Sequence, residues 1–247
     1  MHPTTRPSAK PFCTVSDDAV RFHENLARKW EQKYLKSSFA SRQEILSKCL
    51  TDFSLSGTSW LDAGCGTGTL ARWLAEQGCE LEAVDAATEM LRVARELTSR
   101  VPVVSPINFR QIATIEELPF PADCFDGVLC SSVLEYLADP DTCVEELRRV
   151  LRPDGILLIS VPNARSIVRA LLRMTYACTA KVGRSWPNYL SVSRHQYSVD
   201  EFRSLLLAHA LVTEKCLCFG MPITPWFATN QVLGSLLMFR ARKKARE

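Results

Sequence analysis

One segment, from Trp60 to Gly68 (WLDAGCGTG), constrains the fold more than any other part of the chain. Trp60 and Leu61 close a short apolar run, which is typical of a buried strand. Three glycines then predict a sharp turn, and residues 69–77 have the apolar spacing of a helix that ends at Gly78. Because glycine lacks a Cβ, such a turn lets a ligand touch the backbone. The segment therefore predicts a strand, a glycine turn and a helix beside a bound ligand.

The acidic residues around this turn indicate which kind of ligand it holds. Asp85 closes the next apolar strand, residues 80–84, where a carboxylate can accept both hydroxyls of a ribose. The dinucleotide fingerprint G-x-G-x-x-G is incomplete, since Thr69 stands where its last glycine is expected. Asp62 lies two residues before the first glycine, and its carboxylate favours a cationic ligand over a pyrophosphate. The pattern therefore indicates a nucleoside ligand that carries positive charge.

Two motifs resemble those of a known family. The run L-D-A-G-C-G-T-G, residues 61–68, resembles the first motif of class I S-adenosylmethionine (SAM)-dependent methyltransferases, and Val84-Asp85 resembles their second motif. The resemblance is good over about residues 57–163 and looser elsewhere. It implies an α/β fold: a Rossmann-like, doubly wound, seven-stranded sheet with helices on both faces and an N-terminal helical lid. It also implies SAM as the cofactor, with Asp62 near its methionine end.

The order of the predicted elements agrees with that fold, because strands and helices alternate from Gly57 onward. The predicted division of the chain is a disordered tail over residues 1–16, a helical lid over 17–56, and a SAM-binding domain over 57–247 in which 164–196 form an inserted cap. Capping signals also predict where two helices begin: Asp139 followed by Pro140, and a capping box of Ser198 with Glu201.

The resemblance implies a set of SAM contacts at the carboxyl ends of the strands. Met90 can pack on the adenine, and Thr114 stands where the family has an acid, so its hydroxyl offers a weaker hydrogen bond to the adenine amino group. Trp30 is a further candidate for contact with substrate or cofactor, although its helical stripe fits simple packing as well. The predicted SAM contacts are Tyr34, Arg42, Asp62, Gly64, Gly66, Gly68, Asp85, Ala86, Met90, Thr114, Ile115 (through its backbone) and Cys130.

The segment after the fourth predicted strand is where the family holds the reacting methyl group. In quinone-type O-methyltransferases, which the chain resembles loosely, this segment reads E-x-x-E-H and can hold a divalent metal. Here it reads Ser132-x-x-Glu135-Tyr136, which keeps one of the three ligands, so the sequence predicts no catalytic metal. His195 and Glu135 are the candidate general bases, and a structural role is the alternative for each.

Composition limits the other functions. The chain has 247 residues, a net charge of +3 and ten cysteines. The cysteines form no C-x-x-C pair, which predicts reduced thiols and a cytoplasmic location, and the proline-containing N-terminus does not fit a signal peptide. No apolar run is long enough to predict a transmembrane helix. The weak charge and the lack of an N-P-P-Y-type motif argue against nucleic-acid methylation.

These features predict a SAM-dependent methyltransferase that acts on a small, apolar or aromatic molecule by O-methylation. N- or C-methylation of a metabolite, or a non-catalytic SAM-binding partner subunit, are the alternatives. A nicotinamide dehydrogenase is disfavoured by Thr69 and Asp62. The sequence leaves the methyl acceptor and the oligomeric state undetermined.

The predicted cap has an unusual charge pattern. No Asp or Glu occurs from Gly155 to Val199, whereas Arg165, Arg169 and Arg173 follow the spacing of one helical face. Trp186 and Tyr189 come next, and Pro222, Trp226 and Phe227 offer an opposite apolar wall. The pattern predicts either a substrate cap whose arginines face water or peripheral membrane contact through residues 164–190.

Overall fold

The computed structural model describes residues 17–34, 40–181, 183, 186–220 and 232–245. The strands of this part of the chain are β1 (Ser59–Ala63), β2 (Glu80–Asp85), β3 (Ile107–Gln111), β4 (Phe125–Ser131), β5 (Leu151–Pro162), β6 (Leu211–Phe219) and β7 (Leu236–Lys243). The α-helices are α1 (Asp17–Tyr34), α2 (Ala40–Cys49), α3 (Thr69–Glu76), α4 (Thr88–Thr98), α5 (Pro140–Val150), α6 (Ile167–Ala180) and α7 (Val199–Ala208). Short 3₁₀ helices cover Leu134–Tyr136 and Asn188–Ser191.

The strands form one sheet in the order β3-β2-β1-β4-β5-β7-β6. The first five strands in this order are parallel, and β7 runs antiparallel to both β5 and β6. The chain order reverses between β1 and β4, which creates a crevice at their carboxyl ends, the usual ligand site of such sheets. The predicted seven-stranded, doubly wound sheet is therefore confirmed.

Alternate residues of each strand pack against different helical layers. On β1 and β4, Leu61 and Val128 join a core with α5 and α7, whereas Trp60 and Leu129 join a core with α2 and α3. This alternation follows from the two-residue period of a strand. Because both faces are covered, the carboxyl edge of the sheet is left as the place where polar side chains can gather.

The helix starts test the capping predictions. Asp139 caps α5 by accepting hydrogen bonds from the N–H groups of residues 141 and 142, and Ser198 and Glu201 form the predicted capping box of α7. Helix α4, however, begins after Ala87, whose side chain cannot cap it. The carboxylate of Glu24, in α1, accepts hydrogen bonds from the backbone N–H groups of Thr88 and Glu89 at 2.6 and 3.0 Å. A residue far away in sequence therefore caps α4.

An ion-pair cluster fixes the end of α2 to the sheet. The buried guanidinium of Arg240, on β7, contacts the carboxylate of Asp52 at 2.5 Å and the carbonyl of Cys49 at 2.8 Å. Lys215, on β6, reaches the same carboxylate at 2.7 Å. These two cations hold the pKa of Asp52 well below its usual range. The cluster fixes the end of α2 to β6 and β7.

Several predictions concern residues outside the described ranges, namely the tail over residues 1–16 and the apolar wall of Pro222, Trp226 and Phe227. The proposed domain boundaries remain predictions. Of the helices that the structure describes, none combines the length and the apolar character needed to span a bilayer.

Candidate active site

The glycine turn after β1 has the predicted form, but its three glycines serve different purposes. All three have positive φ angles, 81°, 54° and 71° for Gly64, Gly66 and Gly68. A Cβ on Gly64 would lie 2.3 Å from Val133, and a Cβ on Gly68 would lie 2.9 Å from Phe109, so both positions need glycine for close packing. A Cβ on Gly66 would meet nothing nearer than 4.0 Å. Gly66 therefore borders open space that a ligand can use.

Two carboxylates flank this turn. Asp85 accepts hydrogen bonds from the N–H groups of Gly66 and Ala87 at 2.8 and 2.9 Å. Asp62 is only 2% exposed, and its Oδ2 has no hydrogen-bond partner among the described residues. Burial, together with the negative charge of Asp85, raises the pKa of Asp62 to about 8. A cationic ligand would relieve this repulsion and use the unpartnered oxygen, so the site fits SAM, which carries an ammonium and a sulfonium.

Helix α1 covers the glycine turn. Its Ala27 and Trp30 pack with Ala87 and Met90 of the α4 region. The ring of His23 lies edge-on to Trp30 and to Tyr136, with centroids 5.5 and 4.9 Å apart. Trp30 is also the side chain nearest to the open side of Gly66. The predicted SAM contact Tyr34 ends α1, and its side chain lies outside the described part of the chain.

Arg42, on α2, reaches the carboxyl end of β4. Its guanidinium donates hydrogen bonds to the hydroxyls of Ser131 and Ser132 at 2.6 and 3.0 Å. The hydroxyl of Ser131 also forms a hydrogen bond with the hydroxyl of Ser160, on β5, at 3.1 Å. The same guanidinium lies 5.7 Å from the centre of the Phe219 ring. A buried cation is therefore held beside the crevice, where it can face a ligand carboxylate.

The segment after β3 contains a carboxylate that the sequence analysis missed. The buried Thr114 hydroxyl donates a hydrogen bond to the carboxylate of Glu116, and the N–H of Glu116 donates back to Thr114 at 3.2 Å. The other oxygen, Oε1 of Glu116, is buried without a partner among the described residues. Ile115 packs into the core. The sequence signal for this carboxylate was Glu116 itself, an acidic residue two positions after Thr114, where the family has its acid.

Two predicted SAM contacts have side chains that point into the core. Met90 packs under α1, and Cys130 is fully buried in the main core. A hydrogen bond with Cys143, together with burial, raises the pKa of the Cys130 thiol well above its usual value. Any ligand contact at Cys130 is therefore limited to its backbone.

Glu135 is a buried carboxylate on the other side of the crevice. It lies in the 3₁₀ helix after β4 and is 5% exposed. Its Oε2 has no hydrogen-bond partner, and its carboxylate forms no salt bridge within the part of the chain that the structure describes. Burial raises its pKa to about 7, against the opposing effects of Arg169 and Arg42. A carboxylate with this pKa can accept a proton near neutral pH.

His195 lies near Glu135 in the backbone, but its ring is turned to other partners. The N–H groups of Arg194 and His195 donate to the carbonyl of Glu135 at 2.7 and 3.4 Å. The imidazole Nε2 lies 3.0 Å from the carbonyl of Leu137, to which it donates a hydrogen bond, and the ring stacks on Tyr197 with centroids 6.4 Å apart. The ring lines an open groove beside the start of α5, and no residue of the glycine turn lines that groove.

The arginines of the predicted cap do not share one face. Helix α6 begins at Ile167, so Arg165 precedes it, and Arg165 and Arg173 are exposed. Arg169 is 6% exposed and donates a hydrogen bond from Nη2 to the hydroxyl of Ser193 at 2.9 Å. The expectation that all three arginines face water is therefore wrong for Arg169, because its side chain turns inward toward the segment around Ser193.

Among the described residues, no three His, Cys, Asp or Glu side chains are close enough together to hold a metal ion. The absence of a catalytic metal remains a prediction from the incomplete E-x-x-E-H motif.

Comparisons with known proteins identify the family. A family model described as a methyltransferase domain matches residues 61–159. A ubiquinone biosynthesis O-methyltransferase of Alkalilimnicola ehrlichii is 32% identical over 170 residues, which are 66% of this chain and 67% of the relative. The chain belongs to the class I SAM-dependent methyltransferases. A second relative of the same description, from Chromobacterium violaceum, is 30% identical over 182 residues, which are 70% of this chain and 72% of the relative.

Solved structures agree on the fold of this methyltransferase. Magnesium protoporphyrin IX methyltransferase of Synechocystis, solved with bound S-adenosylhomocysteine (SAH), gives a TM-score of 0.67 at 19% identity and covers 91% of this chain and 97% of that one. A SAM-dependent methyltransferase of Thermotoga maritima gives 0.66 at 20% identity, with 92% and 100% covered. The sequence-based prediction of a SAM-dependent O-methyltransferase of a small molecule, similar to quinone O-methyltransferases, is confirmed by the relatives.

Proposed function

We propose that this methyltransferase transfers the methyl group of SAM to a hydroxyl oxygen on an apolar, aromatic small molecule, with Glu135 as the general base. The observation that carries this proposal is the buried, unpaired carboxylate of Glu135 at the carboxyl end of β4. An uncharged hydroxyl must lose its proton as its oxygen takes the methyl group, and this carboxylate can receive it. The names of the O-methyltransferase relatives support an acceptor of the quinol type.

The proposed SAM site draws on both flanks of the glycine turn. Asp62 faces the cationic methionine end, Asp85 accepts the ribose hydroxyls, and Arg42 binds the carboxylate. Gly66 gives the ligand access to the backbone. The same site includes Gly64, Gly68, Ala86 and the backbones of Ile115 and Cys130, with Glu116 and Thr114 as acceptors for the adenine amino group, whereas the buried Met90 supports the site from below. SAM supplies a methyl group on a good leaving group, so positioning by these residues contributes most of the rate enhancement.

The roles proposed for Glu135 and His195 differ. Because burial raises the pKa of Glu135 to about 7, its carboxylate is both substantially ionised and adequately basic at neutral pH. The Nε2 of His195 is engaged with the carbonyl of Leu137, and the N–H of His195 contacts the carbonyl of Glu135. We therefore propose that His195 positions the segment around Glu135. Glu135 itself accepts the proton.

A substitution tests this assignment. Glu135→Gln should reduce the rate of methyl transfer to catechol-type acceptors by about 10²-fold or more, because the amide cannot accept the proton. Transfer is measured by mass spectrometry of the methylated product. SAM affinity by calorimetry should remain that of the parent, and Glu117→Gln, an exposed glutamate of the same sheet edge, serves as the control. An unchanged rate would remove Glu135 from the base role, and SAM binding without turnover of any acceptor would indicate a non-catalytic partner subunit.

Helix α6 supports a second element of the proposal, peripheral membrane contact through residues 164–190. Ile167, Leu171 and Met174 follow helical spacing on one side of α6, and each is more than half exposed. Trp186 adds an exposed indole, and Arg173 and Lys181 supply exposed positive charge. An apolar face with flanking cations and no acidic residue fits an anionic membrane surface. Such contact would suit an acceptor that resides in lipid.

Sedimentation with vesicles tests the membrane contact. Binding should require anionic lipid and weaken as salt rises, because each basic residue near the surface contributes about 1 kcal/mol. A Leu171→Ser/Met174→Ser variant should lose most of the binding. Leu207→Ser removes an equally exposed leucine on α7 and should bind like the parent. Absence of binding at low salt would leave α6 as a substrate cap.

The cytoplasmic location remains a proposal, supported by the absence of a disulfide among the nine described cysteines.

A further inference from the structure

Ser132, directly after β4, has a backbone conformation that is uncommon for a serine. Its φ angle is 58°, in the left-handed region that favours glycine. This conformation is unfavourable for a residue with a Cβ, and it persists only where surrounding contacts hold it in place. Residues of this kind cluster at binding sites, so the contacts that hold Ser132 indicate what its conformation provides.

These contacts come from Ser160, on β5. Ser160 is fully buried, and its hydroxyl accepts a hydrogen bond from the N–H of Ser132 at 3.0 Å. The same N–H also donates to the carbonyl of Ser160 at 3.2 Å. The Ser160 hydroxyl forms a further hydrogen bond with the hydroxyl of Ser131 at 3.1 Å. One buried hydroxyl therefore fixes both residues at the end of β4.

The two residues that Ser160 fixes both bind Arg42. The guanidinium donates from Nη1 to the hydroxyl of Ser131 at 2.6 Å and from Nη2 to the hydroxyl of Ser132 at 3.0 Å. Its Cζ lies 5.7 Å from the centre of the Phe219 ring. A hydroxyl orients a guanidinium without neutralising its charge. These residues therefore hold the positive charge in one orientation beside the crevice.

We propose that Ser160 and Ser132 are positioning residues that make the protein selective for a cofactor with a carboxylate, SAM, over decarboxylated SAM. Decarboxylated SAM keeps the adenosine, the sulfonium and the amino group, so the carboxylate is the group by which a site distinguishes the two. A carboxylate pairs with two parallel N–H groups of a guanidinium, which requires that the planar group be oriented correctly. This inference rests on the proposed function, in which Arg42 binds the SAM carboxylate.

The test measures the dissociation constants of SAM and decarboxylated SAM by calorimetry and compares their ratio. The parent protein should bind SAM at least about tenfold more tightly, the range expected of a charge-assisted pair. Ser160→Ala should reduce this preference about threefold or more, because the guanidinium loses its fixed orientation while the contacts of decarboxylated SAM are unchanged. Ser59→Ala, at the amino end of β1, is the control and should keep the preference of the parent.

Ser132→Gly is a second variant, which tests the proposal even if Ser160→Ala does not fold. Glycine adopts a positive φ without strain, so the Tm of this variant should equal or exceed that of the parent. Its preference for SAM should nevertheless fall, because the hydroxyl that contacts Arg42 is lost. An unchanged preference would contradict the proposal, since the conformation of Ser132 would then serve packing alone.

The outcomes separate this inference from the proposed function. Equal affinity of the parent protein for the two ligands would contradict the contact between Arg42 and the SAM carboxylate, and the inference with it. Arg42→Gln should abolish the preference. If it does so while Ser160→Ala and Ser132→Gly keep the preference, the carboxylate contact stands and the positioning role of the serines is wrong. Equal weakening of both ligands in Ser160→Ala would make Ser160 a residue of sheet structure and overturn the inference.

Discussion

The two sides of the crevice are built in different ways. On the cofactor side, the glycine turn, Asp62 and Asp85 come from one stretch of strand, turn, helix and strand, linked by hydrogen bonds over short sequence distances. On the side of the proposed base, Glu135 and the buried Arg169 come from two distant segments that interact only in the folded chain. The family match ends at residue 159, before α6 begins. The glycine turn and its two carboxylates are therefore encoded locally, whereas the surroundings of Glu135 depend on long-range packing.

The largest loss of SAM affinity is expected on the cofactor side, for a substitution of Gly66. Gly66→Val should weaken SAM binding by about 100-fold or more, because the side chain fills the space that a ligand uses against the backbone. Gly57→Val is the matched control, since Gly57 also has a positive φ, 77°, and open space beside it, but lies before β1. Both variants carry the same backbone strain. Calorimetry with SAM should separate them, and equal affinities would contradict a ligand at Gly66.

A smaller loss is expected at Asp85. Asp85→Asn should reduce SAM affinity about tenfold, because hydrogen bonds to a charged acceptor contribute about 1.5–3 kcal/mol each. Asp126→Asn is a suitable control, because Asp126 also accepts a backbone N–H, from Ser59 at 2.9 Å, at the opposite edge of the sheet. If both variants bind SAM like the parent, the ribose assignment is wrong.

The pH dependence of SAM binding tests the role of Asp62 on the cofactor side. The pKa of Asp62 is raised to about 8, so its carboxyl is mostly protonated below that pH in the free protein. A cationic ligand favours the ionised form and must expel this proton at lower pH. Affinity should therefore rise several-fold as the pH increases toward about 8, with proton release visible in buffers of different ionisation enthalpy. Asp62→Asn should flatten the profile, and a parent profile without slope would contradict the assignment.

The smallest effect is expected on the side of the proposed base, at His195. His195→Gln should change the rate less than about threefold, because its side-chain amide places a neutral N–H donor near the position of Nε2, facing the carbonyl of Leu137, a hydrogen bond worth about 1 kcal/mol. Steady-state kinetics at saturating SAM provides the measurement. A loss near 10²-fold with intact SAM affinity would return the base role to His195 and move the acceptor site toward its groove.

The same division explains what could be predicted from the sequence. The seven strands, the turn with Asp62 and Asp85, and the caps at Asp139 and Ser198 depend on residues within a few positions of each other, and local periodicity and capping chemistry predict them. Helical spacing alone cannot say which side of a helix is buried.

Arg169 shows the limit most clearly. Its spacing from Arg165 and Arg173 suggested one exposed face, but its burial depends on Ser193, which is 24 positions away. The cap of α4 depends on Glu24, 64 positions before Thr88. Glu116 was missed for a different reason, since the family motif directed attention to Thr114 and away from the next acid. Long-range partners of this kind are fixed by tertiary packing, which the sequence pattern does not contain.

The capping of α4 by Glu24 has a consequence for how such enzymes diversify. The helix that covers the cofactor turn also completes the hydrogen bonds at the start of a helix in the catalytic domain. Replacing residues 17–34 with the corresponding segment of a homologue would therefore change two properties together, the cover of the crevice and the stability of α4. Only a homologous segment with an acidic residue at the position of Glu24 would keep the start of α4 capped. The N-terminal segment is thus not a freely exchangeable module, and its evolution is tied to the domain that it covers.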